Sequence, residues 1–543
     1  MSALAWKTEP FQRIKKNMKK LPIGIQTFSK IIKDNCVYVD KTRHIAELMA
    51  SGDYFFLSRP RRFGKSLLVS TLSEIFSGNQ ALFQGLYIYD KIEWQSYPVI
   101  VIDFNSISYS DDEVFKISLL SFLDKVADKY EITLASQFVR DKFAELVEKI
   151  AEKTQQKVVI LIDEYDKPIV DHIDNIEKAT KNREIMRDLF GVLKSCDAFL
   201  RFVFLTGVSK FSRVSIFSEL NNLRDITFSK QFATLLGYTQ TELESYFDKY
   251  IQSLCFELGM KKAHLLTKIK IWYNGYSWNG KDQLYNPFSI LNLFAEQRFS
   301  NYWFATGTPS FLMKLIKNTQ LDVTTFENQK ISEIIFDSYN IESLNIFALL
   351  LQTGYLTVTE IDKKARTPQY VLNYPNFEVK EAFVTYLFAS FTQNELGKIQ
   401  PAAENLRDYL QTENLEGFMN IIRALFAKIP YPLHIKQEAY YHSLFYMILV
   451  LMGVEIDLEV LTDKGRIDGV LEFEDKIYLI EFKYAKTGKN MARLTNQALK
   501  QIKTKNYGER FLNDSRPRVY LGVGFLGKKI GYKKVANIET DIK

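Results

Sequence analysis

A chain of 543 residues has room for about two to four domains, and 46% hydrophobic with 14% aromatic residues is ample for packed cores, which excludes a disordered or fibrous protein. Its 71 basic and 64 acidic residues leave a formal net charge of +7, a balance that tolerates a nucleic-acid partner without requiring one. Cys36, Cys196 and Cys255 form no C-x-x-C pair and lie near no histidine at metal-ligand spacing, which fits a reducing compartment. The first twenty residues are polar and Lys-rich with no apolar signal core. The longest apolar run, Leu444 to Val454, is broken by Gly453 and falls short of the roughly 20 residues a bilayer requires. The expectation is a soluble, cytoplasmic protein with no membrane partner.

In chain order, Tyr54 to Leu57, Val99 to Phe104, Val158 to Ile162 and Phe202 to Leu205 read as buried parallel strands alternating with amphipathic segments, the mark of an α/β fold over residues 1–230. Phe143, Leu146, Val147 and Ile150 fall at i, i+3, i+4 and i+7 and predict one apolar helix stripe leading into the third strand. Over 231–300 strand signals fade and Tyr, Phe and Leu recur at helical spacing around Tyr246 and Tyr250, which predicts a helical lid. Residues 301–395 place helical segments before Gly354-Tyr355-Leu356-Thr357-Val358 and Tyr370-Val371-Leu372, a winged-helix-like pattern. Residues 396–543 run as helices, an alternating hairpin from Ile467 to Phe482, another helix and a last strand at Val519 to Val523.

Directly after the first strand comes Ser58-Arg59-Pro60-Arg61-Arg62-Phe63-Gly64-Lys65-Ser66, followed by Leu67-Leu68-Val69, which opens a helix. Strand, loop and helix in this order form a P-loop, whose backbone from Pro60 to Leu67 is expected to cradle phosphates through the N–H groups that follow the proline. In that role Lys65 neutralises the β- and γ-phosphates of ATP and Ser66 helps to hold Mg²⁺. The usual pattern has glycine where this chain has Arg59. Pro60 is expected to pre-set part of the loop instead, with Arg61 and Arg62 available for phosphate or acidic-partner contacts. The strand Val158 to Ile162 ends in Asp163-Glu164, a Walker B arrangement: Asp163 is the expected Mg²⁺ ligand and Glu164 the residue that polarises the attacking water. Thr206, at the end of the fourth strand, is the expected γ-phosphate sensor. Arg213 and Arg224 are candidates for a charge-stabilising arginine acting in cis or across a subunit boundary, so the sequence accommodates an oligomer without demanding one.

The segment Gly465 to Lys483 reads as two strands about a polar turn. With Glu474-Asp475 as a two-residue loop, Asp468 stands opposite Glu481, their Cβ atoms about 4.5 to 5.5 Å apart, and Lys483 projects from the same face. Facing carboxylates repel unless a cation sits between them, and Mg²⁺ serves this purpose while activating water for attack on a phosphodiester. The alternative is a solvated hairpin whose lysine simply pairs the acids. Glu438, at the head of a preceding helical stretch, is a candidate third carboxylate. The polar, basic stretch Asn496 to Lys505 is a candidate helix along a phosphate backbone.

These motifs resemble the bacterial AAA-ATPase-like proteins that end in a PD-(D/E)XK nuclease-superfamily domain. The resemblance is carried by Leu21-Pro22-Ile23-Gly24-Ile25, Tyr38-Val39-Asp40-Lys41-Thr42, Arg59 to Ser66, Leu161-Ile162-Asp163-Glu164-Tyr165-Asp166, Tyr302-Trp303 with Thr306-Gly307-Thr308-Pro309, and Gly465 to Asp468 with Glu481-Phe482-Lys483. It implies that the R-P-R-R-F-G-K-S loop is usual in the family. It further implies that Asp468, Glu481 and Lys483 form the acidic-acidic-lysine core of a nuclease, with Glu438 as its helix glutamate. The implied protein is an ATPase coupled to a nuclease on DNA or RNA, in defence or mobile-element biology. Its rival from another class is a signalling or scaffold NTPase whose C-terminal fold only binds nucleic acid or protein. The intact Asp468, Glu481 and Lys483 favour the nuclease.

Overall fold

The computed structural model describes residues 18–536 apart from 211–221, 305–311, 314, 317–322, 334, 336–344, 365, 393–394, 428–437, 453–455, 458–459, 463–464, 468, 486–489, 506, 509–510, 512–513 and 528. The chain divides into two units, Met1–Thr306 with Asn328–Val379, and Gly307–Glu327 with Lys380–Lys543.

Among the described residues, the first unit begins with helices α1 (Phe28–Lys33) and α2 (Thr42–Ala50), strand β1 (Tyr54–Ser58) and helix α3 (Lys65–Phe76). Strand β2 (Val99–Asp103), helices α4 (Asp112–Lys129) and α5 (Val139–Thr154), strand β3 (Val158–Asp163), helix α6 (Ile176–Ser195), strand β4 (Leu200–Gly207) and the short β5 (Arg224–Asp225) follow. The five strands form one sheet in the order β2-β3-β4-β1-β5, every pairing parallel. Each of the four strands expected from sequence is present; β5, only two residues long, carries no periodic signal. Alternation along β3 sorts its side chains: Val158, Ile160 and Ile162 join α4, α5 and α6 in one core, while Val159 and Leu161 join α1, α2 and α3 in the other. Coverage on both faces explains why these strands read as unbroken apolar runs. It also explains the α5 stripe, since Phe143, Leu146, Val147 and Ile150 are all fully buried.

Four helices follow, α7 (Gln240–Tyr246), α8 (Asp248–Leu258), α9 (Lys262–Tyr273) and α10 (Pro287–Glu296). Thr239 and Glu242 form a reciprocal capping box at the start of α7, and Asn286 caps α10 ahead of its first-turn proline. Leu243, Phe247, Ile251, Leu265, Ile269, Ile290 and Leu293 share one core. Lys41, just before α2, donates to Glu242 at 2.7 Å and to the Thr234 carbonyl at 2.9 Å, fastening this helical bundle to the N-terminal segment. The unit also contains strand β6 (Gln329–Ser332), helix α11 (Ile346–Thr353) and strands β7 (Thr357–Asp362) and β8 (Gln369–Asn373), an antiparallel sheet in the order β6-β8-β7.

The division between the units falls in the first turn of α12 (Phe377–Thr392). The second unit contains α13 (Leu396–Gln411), α14 (Leu415–Ala427), α15 (Glu438–Leu451), the short β9 (Ile456–Asp457) and the ribbon β10 (Val460–Thr462) with β11 (Gly465–Ile467). Strands β12 (Gly469–Glu472) and β13 (Ile477–Ala485), helix α16 (Met491–Thr504), and strands β14 (Arg518–Leu526) and β15 (Lys529–Ala536) complete it. The sheet order is β15-β14-β13-β12-β9, with β13 and β14 parallel across α16 and the other pairings antiparallel. The strand expected at Val519 to Val523 is longer, and β15 was not expected at all: Lys529, Lys533 and Lys534 mask its apolar alternation. The apolar run from Leu444 forms most of α15, whose residues Leu444 to Val450 are buried on every side. Among the described residues no helix is long and apolar enough to cross a membrane.

Truncating a fully buried stripe residue removes contacts that surrounding helices do not refill. Leu146→Ala is expected to destabilise the first unit by about 2 to 5 kcal/mol, read as a lower denaturant midpoint. A loss below about 0.5 kcal/mol, the size typical of surface substitutions, contradicts the packing described.

Candidate functional site

Strands β1, β3 and β4 bring their C-terminal ends together, the edge where open parallel sheets bind ligands. From β1 the chain passes through Arg59 to Gly64 and enters α3 at Lys65. Gly64 has φ 91° and Arg62 φ 65°, so two residues of the loop lie in the left-handed region. No side chain caps α3, leaving its first-turn amides and positive dipole end facing the loop.

Arg59 folds inward. Its guanidinium donates to the carbonyls of Ser58 at 2.8 Å and Thr227 at 2.9 Å and lies 4.0 Å from the centre of the Trp278 ring. Burial pulls its pKa below the ordinary value, and the three π and carbonyl contacts keep the cation accommodated. Pro60 is buried and Arg61 and Arg62 are exposed. Phe63 is buried edge-on against Tyr276 and Trp278, at 4.8 and 5.3 Å between ring centres, so only its backbone faces the loop. The half-buried Leu67 side chain likewise packs into the α3 core.

Lys65 is 4% exposed; its Nζ donates to the Pro60 carbonyl at 3.2 Å and stands 3.8 Å from Glu164 Oε1. Asp163, equally buried, has its pKa raised to about 6 by burial, with the Ser66 hydroxyl and Lys65 charge pulling it down and Glu164 and Asp103 pushing it up. Glu164 takes φ 55°, a conformation that costs a non-glycine residue about 1 to 2 kcal/mol. Lys65, Ser66, Asp163 and Glu164, four residues predicted from sequence, are therefore assembled in one place.

Thr206 is fully buried, and its hydroxyl donates to the Leu57 carbonyl at 2.8 Å, so its side chain joins β4 to β1. Arg224 reaches the Ser51 carbonyl at 3.4 Å, ahead of β1 and at the opposite end of that strand from the loop. Arg213 lies outside the described residues.

Sequence reasoning overlooked the role of Asp166. Its buried carboxylate accepts the amides of Val208 at 3.1 Å and Ser209 at 2.7 Å and the Ser209 hydroxyl at 2.6 Å. Tyr165 donates its hydroxyl to the Ser209 carbonyl at 2.9 Å. Together they bind the end of β3 to the loop after β4, and a Cβ at Gly207 would collide with Asp166 Oδ1. The available signal was Asp166 itself, an acid two residues beyond Glu164 and next to a buried tyrosine.

A buried carboxyl of another kind sits at Glu378. It accepts the Ser289 hydroxyl at 2.7 Å and the Trp303 amide at 2.6 Å, and burial lifts its pKa to about 8 against those two bonds.

In the second unit, β12 and β13 pair as Gly469 with Ile480, Val470 with Leu479, Leu471 with Tyr478 and Glu472 with Ile477, the register expected from a Glu474-Asp475 turn. The Phe473 amide closes that turn on the Lys476 carbonyl at 2.9 Å. Ile477 and Leu479 pack with Leu499 and Ile502 of α16, whereas Phe482 meets Phe445 of α15 at 4.4 Å between ring centres. By alternation, Glu481 and Lys483 lie on the α16 face. Glu481 is 1% exposed, and Lys483 Nζ stands 3.2 Å from its Oε1. Asp468 and the side chain of Glu438 lie outside the described residues. Helix α16 contains no acidic residue and exposes Arg493, Asn496, Lys500 and Lys503; Lys533 of β15 donates to Asn496 at 2.9 Å.

A family described as predicted AAA-ATPase matches residues 22–217, and one described as PD-(D/E)XK nuclease superfamily matches residues 436–535. An uncharacterized protein in the vnfD 5′ region of Azotobacter chroococcum mcd 1 is 37% identical over 516 residues, covering 93% of this chain and 96% of its own length. Among solved structures, a Drosophila ORC assembly bound to poly(dA/dT) DNA and Cdc6 matches with 11% identity and a TM-score of 0.24, over 82% of this chain and 63% of that one. Drosophila ORC bound to GC-rich DNA and Cdc6 matches with 8% identity and a TM-score of 0.20, over 78% of this chain and 61% of that one. Likenesses this weak carry no argument.

The Glu378 carboxyl gives the first unit a pH signature. Its pKa is about 8 in the fold against an ordinary value of 4.5, so its stabilising contribution is complete below pH 4.5 and is lost as pH rises through 8. Glu378→Gln, which keeps an acceptor for Trp303 and does not ionise, is expected to gain Tm relative to wild type between about pH 5 and 8. A Tm difference that does not change with pH contradicts this assignment.

Proposed function

Because the chain belongs to the family of predicted AAA-ATPases that end in a PD-(D/E)XK nuclease-superfamily domain, we propose that it binds and hydrolyses ATP with Mg²⁺ and couples this to cleavage of DNA or RNA. The observation that carries the first half is the meeting of Lys65, Asp163 and Glu164 beneath the uncapped start of α3. The proposed division is a core over 1–230, a helical lid over 231–300, a winged-helix-like module over 301–395 and a nuclease-like domain over 396–543.

In this reading the backbone from Pro60 to Leu67 wraps the phosphates of ATP, the N–H groups of Arg61 to Leu67 donating to them, and Lys65 carries the balancing charge. The residues fit a divalent cation, since a buried Asp163 beside the Ser66 hydroxyl is held against its preference to ionise, and a cation there relieves that cost. Bound Mg²⁺ supplies charge neutralisation on the β- and γ-phosphate oxygens. Lys65 divides its contacts between the Pro60 carbonyl and Glu164. A phosphate that draws Lys65 away frees Glu164 to accept a proton from water. Thr206 then acts at one remove, by holding β4 against β1.

The nuclease half rests on a carboxylate and a lysine on one face of β13, where the sequence pattern sets Asp468 opposite Glu481, with Glu438 as the fourth proposed participant. Glu481 and Asp468 are the proposed ligands of a second Mg²⁺, and Lys483 orients the attacking water or offsets charge on the phosphodiester. The acid-free exposed stripe of α16 supports a polyanionic substrate.

Three variants test the reading with labelled single- and double-stranded DNA and RNA, with and without ATP. Lys65→Ala is expected to reduce ATP turnover by about 100-fold or more, and Asp468→Ala to abolish cleavage while ATP turnover persists. Absence of cleavage on every substrate, with ATP turnover intact, replaces the nuclease by a binding module under nucleotide control. Arg493→Ala with Lys500→Ala is expected to weaken nucleic-acid binding and to lower its salt slope by about two. An unchanged slope removes α16 from the interface.

A further inference from the structure

The outer edge of the phosphate loop is held by residues far along the chain. The Trp303 indole donates from Nε1 to the Arg61 carbonyl at 3.0 Å, and its ring meets Tyr355 at 5.4 Å between centres. Gly354, which ends α11 at φ 89°, lies so close that a Cβ there would stand 2.7 Å from Cβ of Pro60 and 3.3 Å from the Trp303 ring. Two residues earlier, Gln352 is 5% exposed and accepts the Lys210 amide on Oε1 at 2.9 Å. Lys210 directly follows Val208 and Ser209, the residues after β4 that Asp166 grips. Between them, the end of α11 and Trp303 therefore touch both the phosphate loop and the segment after β4.

We infer that Gln352 and Trp303 are positioning residues for ATP hydrolysis, fixing the spacing of the two loops from outside the nucleotide-binding core. The inference rests on the reading of 58–66 as the ATP site. Its physical basis is that a short loop with two left-handed residues has few internal hydrogen bonds to hold its amides in line. Misplacement by about 1 Å at such a site costs on the order of 100-fold in rate. Trp303 acts on the Arg61 carbonyl, one peptide before the left-handed Arg62, and so sets how the phosphate-facing amides point. Gln352 acts on the loop tied to Asp166 and thereby on the backbone that follows Glu164. The two residues should separate in kinetics: Trp303 in affinity and Gln352 in turnover.

The experiment measures ATP binding and steady-state hydrolysis on the full chain for wild type, Trp303→Phe, Gln352→Met and Gln352→Glu. Trp303→Phe keeps the ring and loses the donor; it is expected to weaken ATP binding about tenfold with kcat within about threefold. Gln352→Met keeps the shape and loses the acceptor; it is expected to lower kcat about tenfold with binding within about threefold. Gln352→Glu restores an acceptor for the Lys210 amide and is expected to return kcat to within about threefold of wild type. Wild-type behaviour in both Trp303→Phe and Gln352→Met overturns the inference, as does a parallel loss of binding and turnover in Gln352→Met that Gln352→Glu does not repair. If Gln352→Met does not fold, the affinity of Trp303→Phe decides. If wild type binds no ATP, the ATPase reading and this inference fall together, whereas wild-type turnover with unaffected variants removes the inference alone.

Discussion

Much of the first unit is arranged around a lysine and two carboxylates held at the end of one strand. Lys65 and Asp163 are each 4% exposed, and Glu164 stands 3.8 Å from the lysine. Removing such charges from water is costly unless they offset one another and are hydrogen-bonded. The backbone accepts strain to bring them together: Glu164 is left-handed, as is Arg62 across the loop. Such outliers persist where the surroundings over-determine them. Here the surroundings are Tyr165 and Asp166, clamped to the β4 loop, and the aromatic wall of Phe63, Tyr276, Trp278 and Trp303 behind the phosphate loop.

The same economy accounts for Arg59. A glycine there would free the backbone; an arginine instead spends its side chain on two backbone carbonyls and the Trp278 ring. The loop gains an internal anchor, and its flexibility is supplied at Gly64. The cost is dependence on a distant partner, because Trp278 belongs to a stretch that local sequence does not connect to the loop.

The second unit repeats the problem of a buried carboxylate on a different scaffold. Glu481 and Lys483 share a strand and a face, so alternation alone brings them into contact, 3.2 Å apart. Helix α15 covers the opposite face through Phe445, and α16 covers their own through Leu499 and Ile502. An acid buried on that covered face costs less with a cationic neighbour beside it, and Lys483 stands there.

Local chemistry in the sequence was enough to determine where the four long parallel strands lie, the helix that starts at Lys65, the stripe on α5 and the register of the β12–β13 hairpin. Each depends on residues within a few positions of one another, through a period of two or 3.6 or through a two-residue turn. The roles of Asp166, Gln352, Trp303 and Glu378 were decided only in three dimensions. Their partners lie 42 to 242 residues away, as with Asp166 and Val208 or Trp303 and Arg61, and no periodicity spans such a distance. The strand β5 and the hidden β15 belong to the same class, since a two-residue strand and a lysine-rich strand acquire their identity from the neighbours they pair with. Sequence carried the parts that bear the chemistry; the tertiary fold decided what holds them in place, because burial and long-range hydrogen bonds exist only once distant segments have met.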